Sequence, residues 1–124
     1  MARVLIAEDE KSFRVVFPRF LSAEGHEVRT AENGQLAIEV GRQFQPDVLI
    51  ADWMLDDITG LDVAEALQSE MPELRVIFIT GFSSVELESK AARRNLRHYL
   101  CLEKPFRIEE VIEVVQRSVA KRDP

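Results

Sequence analysis

The chain has one cysteine, Cys101, two histidines, one tryptophan and one tyrosine in 124 residues. A lone cysteine excludes an internal disulfide and a cysteine-built zinc site, and it fits a reducing, cytoplasmic setting. His26 and His98 stand far apart and share no ligand spacing, so neither is assigned to a metal. No apolar run approaches the roughly 18 residues that a bilayer-spanning helix needs, and "MARVLIAEDE" turns acidic too early for a secretory signal. Met1 is therefore expected at or next to a natural start, with no membrane partner. Cations are outnumbered too: 16 Lys and Arg face 22 Asp and Glu, for a formal charge of −6. That balance argues against general binding to a nucleic-acid backbone, which needs clustered Lys and Arg. Internal repeats and low-complexity tracts are also missing.

What is present is ordinary for one globular domain: 46% hydrophobic and 31% charged residues in a chain of single-domain length. The domain is expected over residues 1–121, with 122–124 a tail or the start of a linker. Four short runs are apolar enough to be strands covered on both faces: "RVLIA" (3–7), "DVLIA" (47–51), "RVIFIT" (75–80) and "HYLCL" (98–102). A fifth, "HEVRTA" (26–31), is more polar and reads as an edge strand. Helical periodicity fills 11–24, 33–44, 60–70, 84–95 and 107–121, with Asn33 and Ser83 or Ser84 as start signals. The last helix places Ile108, Val111, Ile112, Val115 and Val119 on one face. Pro18 falls inside the first helix and predicts a kink there rather than a domain break. Five alternations of strand and helix call for an α/β fold, a parallel sheet covered by helices on both faces.

In such sheets, ligands sit beyond the carboxyl ends of the strands. Glu8 and Asp9 follow the first strand and Asp52 ends the third, so three carboxylates share that rim. Carboxylates so close repel unless a cation joins them, and an oxygen-only cluster suits Mg²⁺. "FITG" brings the Thr80 hydroxyl and Gly81 to the same rim, and "LEKPF" brings Lys104. Three carboxylates, one divalent cation and one ammonium balance to zero, so an anion can enter at modest electrostatic cost. An Asp carboxylate is also a nucleophile able to accept a phosphoryl group, a transfer that needs little beyond in-line positioning and cations or donors on the equatorial oxygens. Asp52 therefore reads as a nucleophile presented at a strand end.

With "EDE" after strand one, "PDVLIADWML" with Gly60 eight residues past Asp52, "FITG" and "KPF", the chain resembles the receiver domain (CheY-like) of two-component response regulators. The resemblance covers nearly the whole chain and implies a three-layer, doubly wound, flavodoxin-like fold with strand order 2-1-3-4-5. It implies Asp52 as phosphoacceptor, Glu8, Asp9, Asp52 and the Met54 carbonyl as ligands of Mg²⁺, Thr80 as switch hydroxyl, Lys104 as phosphate-bridging cation, and a cis bond from Lys104 to Pro105. The implied partners are a sensor histidine kinase or histidine phosphotransfer protein, then an output domain or effector protein, with a homodimer through helix 4, strand 5 and helix 5 as a further option. Catalysis would be limited to phosphorylation and dephosphorylation of Asp52 itself. A haloacid-dehalogenase-like phosphatase would need a second acid at residue 54, which is Met.

Some positions depart from the family. The acidic pair is Glu-Asp, residue 56 is Asp where the family usually has Pro, and "MLDDITG" brings two extra acids toward the site. Cys101 takes the place of the usual switch aromatic, with Tyr99 on the same side of the strand, and Arg97 and His98 replace the usual Gly-Ala. These departures keep a second reading open, a phosphorylation-independent receiver-like interaction module. Cys101 reads as a buried small residue rather than a reactive thiol. Lys90, Arg93, Arg94 and Arg97 fall at helical spacing as one basic stripe, either a solvated face or, with Glu109, Glu110 and Glu113, a surface for self-association or an output partner.

Overall fold

The computed structural model describes residues 1–81 and 84–120, in which five strands alternate with five helices. The strands are β1 (Arg3–Ala7), β2 (Glu27–Ala31), β3 (Val48–Asp52), β4 (Arg75–Thr80) and β5 (Tyr99–Glu103). The helices are α1 (Lys11–Ala23), α2 (Gly34–Phe44), α3 (Gly60–Glu70), α4 (Ser84–Arg93) and α5 (Ile108–Ala120). All strand pairs are parallel, in the order β2-β1-β3-β4-β5 expected from the resemblance. Phe82, Ser83, the proposed capping side chain of Ser84 and residues 121–124, which include the expected tail at 122–124, lie outside the described residues. No helix among the described residues is long and apolar enough to cross a membrane.

Alternation along each strand builds two cores. Leu5, Leu49, Ala51, Val76 and Phe78 face one side of the sheet and meet Ala37, Phe44, Leu67, Leu87 and Ala91 from α2, α3 and α4. Val4, Ile6, Ile50, Ile77 and Ile79 face the other side and meet Phe13, Leu21, Val111, Val114 and Val115 from α1 and α5. Full burial of each Leu, Ile or Phe stabilises by about 1.5–3 kcal/mol, so truncating Ile50 to Ala would cost about 2–5 kcal/mol. Val114, absent from the expected face of α5, joins its buried stripe.

Local chemistry sets the ends of the helices. The Asn33 side chain accepts the Leu36 N–H at 2.8 Å, the expected cap of α2. Thr59 and Asp62 close a reciprocal capping box on α3. α1 runs unbroken through Pro18, which offers no N–H to the Arg14 carbonyl. Phe13 stacks on Phe17 with ring centroids 3.7 Å apart, and both meet Phe106 edge-on, joining α1 to the segment before α5.

Two expectations need correction. The apolar run of β5 predicts cover on both faces, yet the strand is the second edge of the sheet, bonded only to β4, and Leu100 is 41% exposed. An edge strand needs no continuous burial, and its apolar run hid that. The basic stripe does not lie on one helix: α4 stops at Arg93, Asn95 turns left-handed (φ 60°), and the Leu96 N–H returns to the Ala91 carbonyl at 3.2 Å. Asn tolerates that conformation, so it ends the helix before Arg94 and Arg97 can align with Lys90. Arg94 instead pairs with Asp62 at 2.7 Å, and Lys90 with Glu86 at 3.6 Å.

Candidate functional site

The parallel sheet delivers its polar residues to one rim. Glu8 and Asp9 leave β1, Asp52 is the last residue of β3, and Thr80 is the last of β4. Oxygen atoms of Glu8, Asp9 and Asp52 all lie within 4.8 Å of one another. Asp52 is 9% exposed; Met54 N–H donates to its Oδ1 at 3.1 Å, and Lys104 Nζ stands 3.3 Å from its Oδ2. The carboxylate is thus oriented from both sides. Lys104 is itself fixed at its backbone, where its N–H donates to the Thr80 carbonyl at 2.8 Å. The Lys104 to Pro105 bond is cis, as the resemblance implied.

Glu8 is only 1% exposed, and its Oε1 accepts the Glu10 N–H at 3.1 Å while its Oε2 has no donor among the described residues. Burial, the approach of Asp9 and the negative charge of Asp52 push its pKa up to about 8, against weaker opposition from the Glu10 N–H and Lys104. The Glu8 and Asp9 carboxyl groups approach within 4.8 Å, a closeness that a shared proton or a cation makes favourable. Burial disfavours the charge on Lys104, but Asp52 and Glu8 outweigh it and hold the ammonium above the usual lysine range. A buried oxygen without a donor, an all-oxygen set and a raised acid together fit a hard divalent cation such as Mg²⁺.

The backbone of this acidic turn is held by a residue the sequence reading did not single out. Arg14 Nη1 donates to the carbonyls of Glu8 at 2.9 Å and Asp9 at 2.8 Å. Its place on the first turn of the helix after the acids was the available signal.

The loop from Trp53 to Thr59 completes the site. Met54, largely exposed, forms an antiparallel bridge with Thr59, and Gly60 N–H donates to the Trp53 carbonyl at 2.7 Å. A Cβ at Gly60 would lie 2.4 Å from the Asp52 carbonyl oxygen, which explains a glycine at that spacing. Of the two extra acids, only Asp56 turns to the site; its carboxyl is raised chiefly by Asp9. Asp57 turns away and accepts the N–H groups of Gly34 at 2.8 Å and Gln35 at 2.9 Å, which hold it below the usual carboxylate range. Adjacent residues in an irregular loop need not share a direction, and this corrects the expectation for Asp57.

Trp53 is a packing residue, with Lys90 Nζ 5.1 Å from its ring centroid. Cys101 is half-buried, and burial, then Glu88 and Glu103, push its thiol up to about 11, so it stays protonated and unreactive at neutral pH. Tyr99 and Cys101 pack against the same core cluster, and the Tyr99 ring lies 6.2 Å from that of Phe78.

Residues 4–116 match the family model for the response regulator receiver domain. Over 123 residues the chain is 32% identical to the DNA-binding transcriptional regulator NtrC of Azospirillum brasilense, covering 99% of this chain and 25% of that protein. Over 109 residues it is 38% identical to the probable transcriptional regulatory protein TcrX of Mycobacterium tuberculosis, covering 88% of this chain and 46% of that one. The chain therefore spans less than half the length of these curated relatives. The structure superposes on chemotaxis protein CheY4 of Vibrio cholerae with a TM-score of 0.86 at 27% identity, covering 95% of this chain and 98% of the other.

Proposed function

Because this chain belongs to the response regulator receiver domain family of two-component systems, we propose that Asp52 accepts a phosphoryl group from a phosphohistidine on a sensor histidine kinase or histidine phosphotransfer protein. The observation that carries this reading is the Asp52 carboxylate held between the Lys104 ammonium at 3.3 Å and the paired acids Glu8 and Asp9. An Asp52 oxygen attacks phosphorus as the phosphorus–nitrogen bond breaks, and the leaving histidine nitrogen keeps the electron pair and takes a proton. Glu8, Asp9, Asp52 and the Met54 carbonyl would hold Mg²⁺, which supplies positive charge to the phosphoryl oxygens when bound. Lys104 bridges to the phosphoryl group, and the Thr80 hydroxyl donates to it as the switch residue.

Phosphorylation then shifts an equilibrium between two conformers that differ in partner binding. The chain turns over no separate substrate, and its chemistry is confined to its own phosphorylation and dephosphorylation in the cytoplasm. The signalling surface is read as α4, β5 and α5, where Val85 is 73% exposed and Leu100 is open, and it serves an output domain, an effector or a second copy. The naming of relatives as transcriptional regulators supports an output in transcription control, carried outside these residues.

Asp56 and Cys101 favour the second reading, a phosphorylation-independent interaction module. Intact-mass analysis after incubation with Mg²⁺ and acetyl phosphate, with Trp53 fluorescence in parallel, decides between them. A single Mg²⁺-dependent phosphoryl adduct, lost in Asp52→Asn, supports the switch. No adduct in the wild type, with no Trp53 response to Mg²⁺ or beryllofluoride, leaves the module.

A further inference from the structure

The loop between β3 and α3 leaves the sheet at Asp52 and re-enters helix at Gly60. Its base is closed by the Met54 to Thr59 bridge, the Gly60 N–H on the Trp53 carbonyl and the Thr59–Asp62 capping box. Its tip lies against a different element. Asp57 Oδ1 accepts the Gly34 N–H at 2.8 Å and Oδ2 accepts the Gln35 N–H at 2.9 Å, so one carboxylate grips two successive N–H groups at the start of α2. The next donor, the Leu36 N–H, is already taken by Asn33. Helix starts present such orphan donors to a carboxylate from any source. Here the source is a loop more than twenty residues away.

The contact is shaped as well as bonded. A Cβ at Gly34 would lie 2.3 Å from Ile58 Cγ1, so Ile58 occupies the space that any other side chain at position 34 would fill. α2 is itself pressed onto α3, where a Cβ at Gly41 would lie 2.7 Å from Leu67 Cδ1. The platform that Asp57 grips is therefore set by tight packing. Along the chain between this anchor and the sheet stands Met54, whose N–H meets Asp52 Oδ1 at 3.1 Å and whose carbonyl is the metal ligand proposed above.

We infer that Asp57 is a positioning residue: by fastening the β3–α3 loop to the start of α2, it fixes the Met54 backbone for Asp52 and for the divalent cation. The inference rests on the phosphoacceptor reading of Asp52. Asp57 touches neither the phosphoryl group nor the metal, and it acts through the loop it holds.

The test is a Mg²⁺ titration of the full chain without a phosphodonor, read by the Met54 amide resonance and by Trp53 fluorescence, on Asp57→Ala, Gly34→Ala and Asn33→Ala. Asp57→Ala frees the tip, and Gly34→Ala pushes Ile58 off its seat without altering any charge. Asn33→Ala removes a cap from the same helix but leaves the loop contact in place. We expect the first two to raise the half-saturating Mg²⁺ concentration about tenfold, the scale on which supporting residues tune metal sites, and Asn33→Ala to lower the melting temperature with little change in Mg²⁺. An unchanged constant in Asp57→Ala overturns the inference, as does an equal shift in Asn33→Ala, which would mark a general loss of α2. A shift in Asp57→Ala without one in Gly34→Ala marks lost charge rather than lost position and overturns it too. Failure of the phosphoacceptor reading is seen separately, as a wild-type chain that binds Mg²⁺ and takes no phosphoryl group from acetyl phosphate.

Discussion

Lys104 reaches Asp52 through its ammonium, at 3.3 Å, and Thr80 through its backbone N–H, at 2.8 Å, so the ends of three strands are tied by one residue. Replacing Lys104 by Met removes the cation beside Asp52 and keeps much of the aliphatic stem. The rate of phosphorylation by acetyl phosphate should fall about 100-fold, the scale for losing one electrostatic contact to a developing charge. Time-resolved intact-mass analysis at saturating Mg²⁺ measures it; a rate within twofold of wild type would remove Lys104 from the chemistry.

Asp56 adds a negative charge beside Asp9, near the Asp52 carboxylate that the proposed reaction requires an anionic donor to approach. In Asp56→Asn at saturating Mg²⁺, acetyl phosphate should react roughly two- to fivefold faster, with a weaker salt dependence, because the exposed charge acts through screened Coulomb repulsion. A slower reaction at every salt concentration would contradict this.

Gly60 has no room for a side chain against the Asp52 carbonyl. Gly60→Ala should destabilise by about 1–3 kcal/mol, the usual range for overpacking, and should lower phosphorylation in the fraction that remains folded. Urea denaturation and intact mass on the same sample separate the two effects.

His26 is buried, its Nδ1 accepts the Ala2 N–H at 3.1 Å, and burial lowers its pKa from the ordinary 6.5. The unfolded chain then binds the proton first, so stability is full above pH 6.5 and declines as pH falls from there toward the folded-state pKa. Thermal midpoints measured from about pH 7.5 to about pH 5 should drop less steeply in His26→Gln than in the wild type.

The strands and the rim were legible because burial on both faces leaves continuous apolar runs, and chain order alone places their carboxyl ends together. Glu8, Asp9, Asp52 and Lys104 needed no more than that to be found as a group. β5 misled because an apolar run looks the same whether a strand is central or, like Leu100, half open at the edge. Asp56 and Asp57 were indistinguishable in sequence, since the direction of a loop side chain is set by what stands across from it, here Asp9 and the first turn of α2. Arg14 was overlooked because its partners are main-chain carbonyls, which carry no residue-type signal. The basic stripe failed at Asn95, where one left-handed residue ended the periodicity that the stripe assumed.

The Phe13, Phe17 and Phe106 cluster ties α1 to the segment that follows Lys104. On that side of Asp52 the neighbouring segments are bound by ring packing and by Arg14 on main-chain carbonyls, which together behave as a buttress. On the opposite side Leu87 and Ala91 seat α4 in the core, while its polar ties toward Asp52 are Lys90 over Trp53 and, just past its end, the partly exposed pair of Arg94 with Asp62 of α3, and polar contacts of that kind contribute only about 0–1 kcal/mol each. A change at Asp52 therefore meets a ring-packed flank on one face of the sheet and, on the other, a helix whose apolar side is buried but whose polar ties are weak enough to be exchanged.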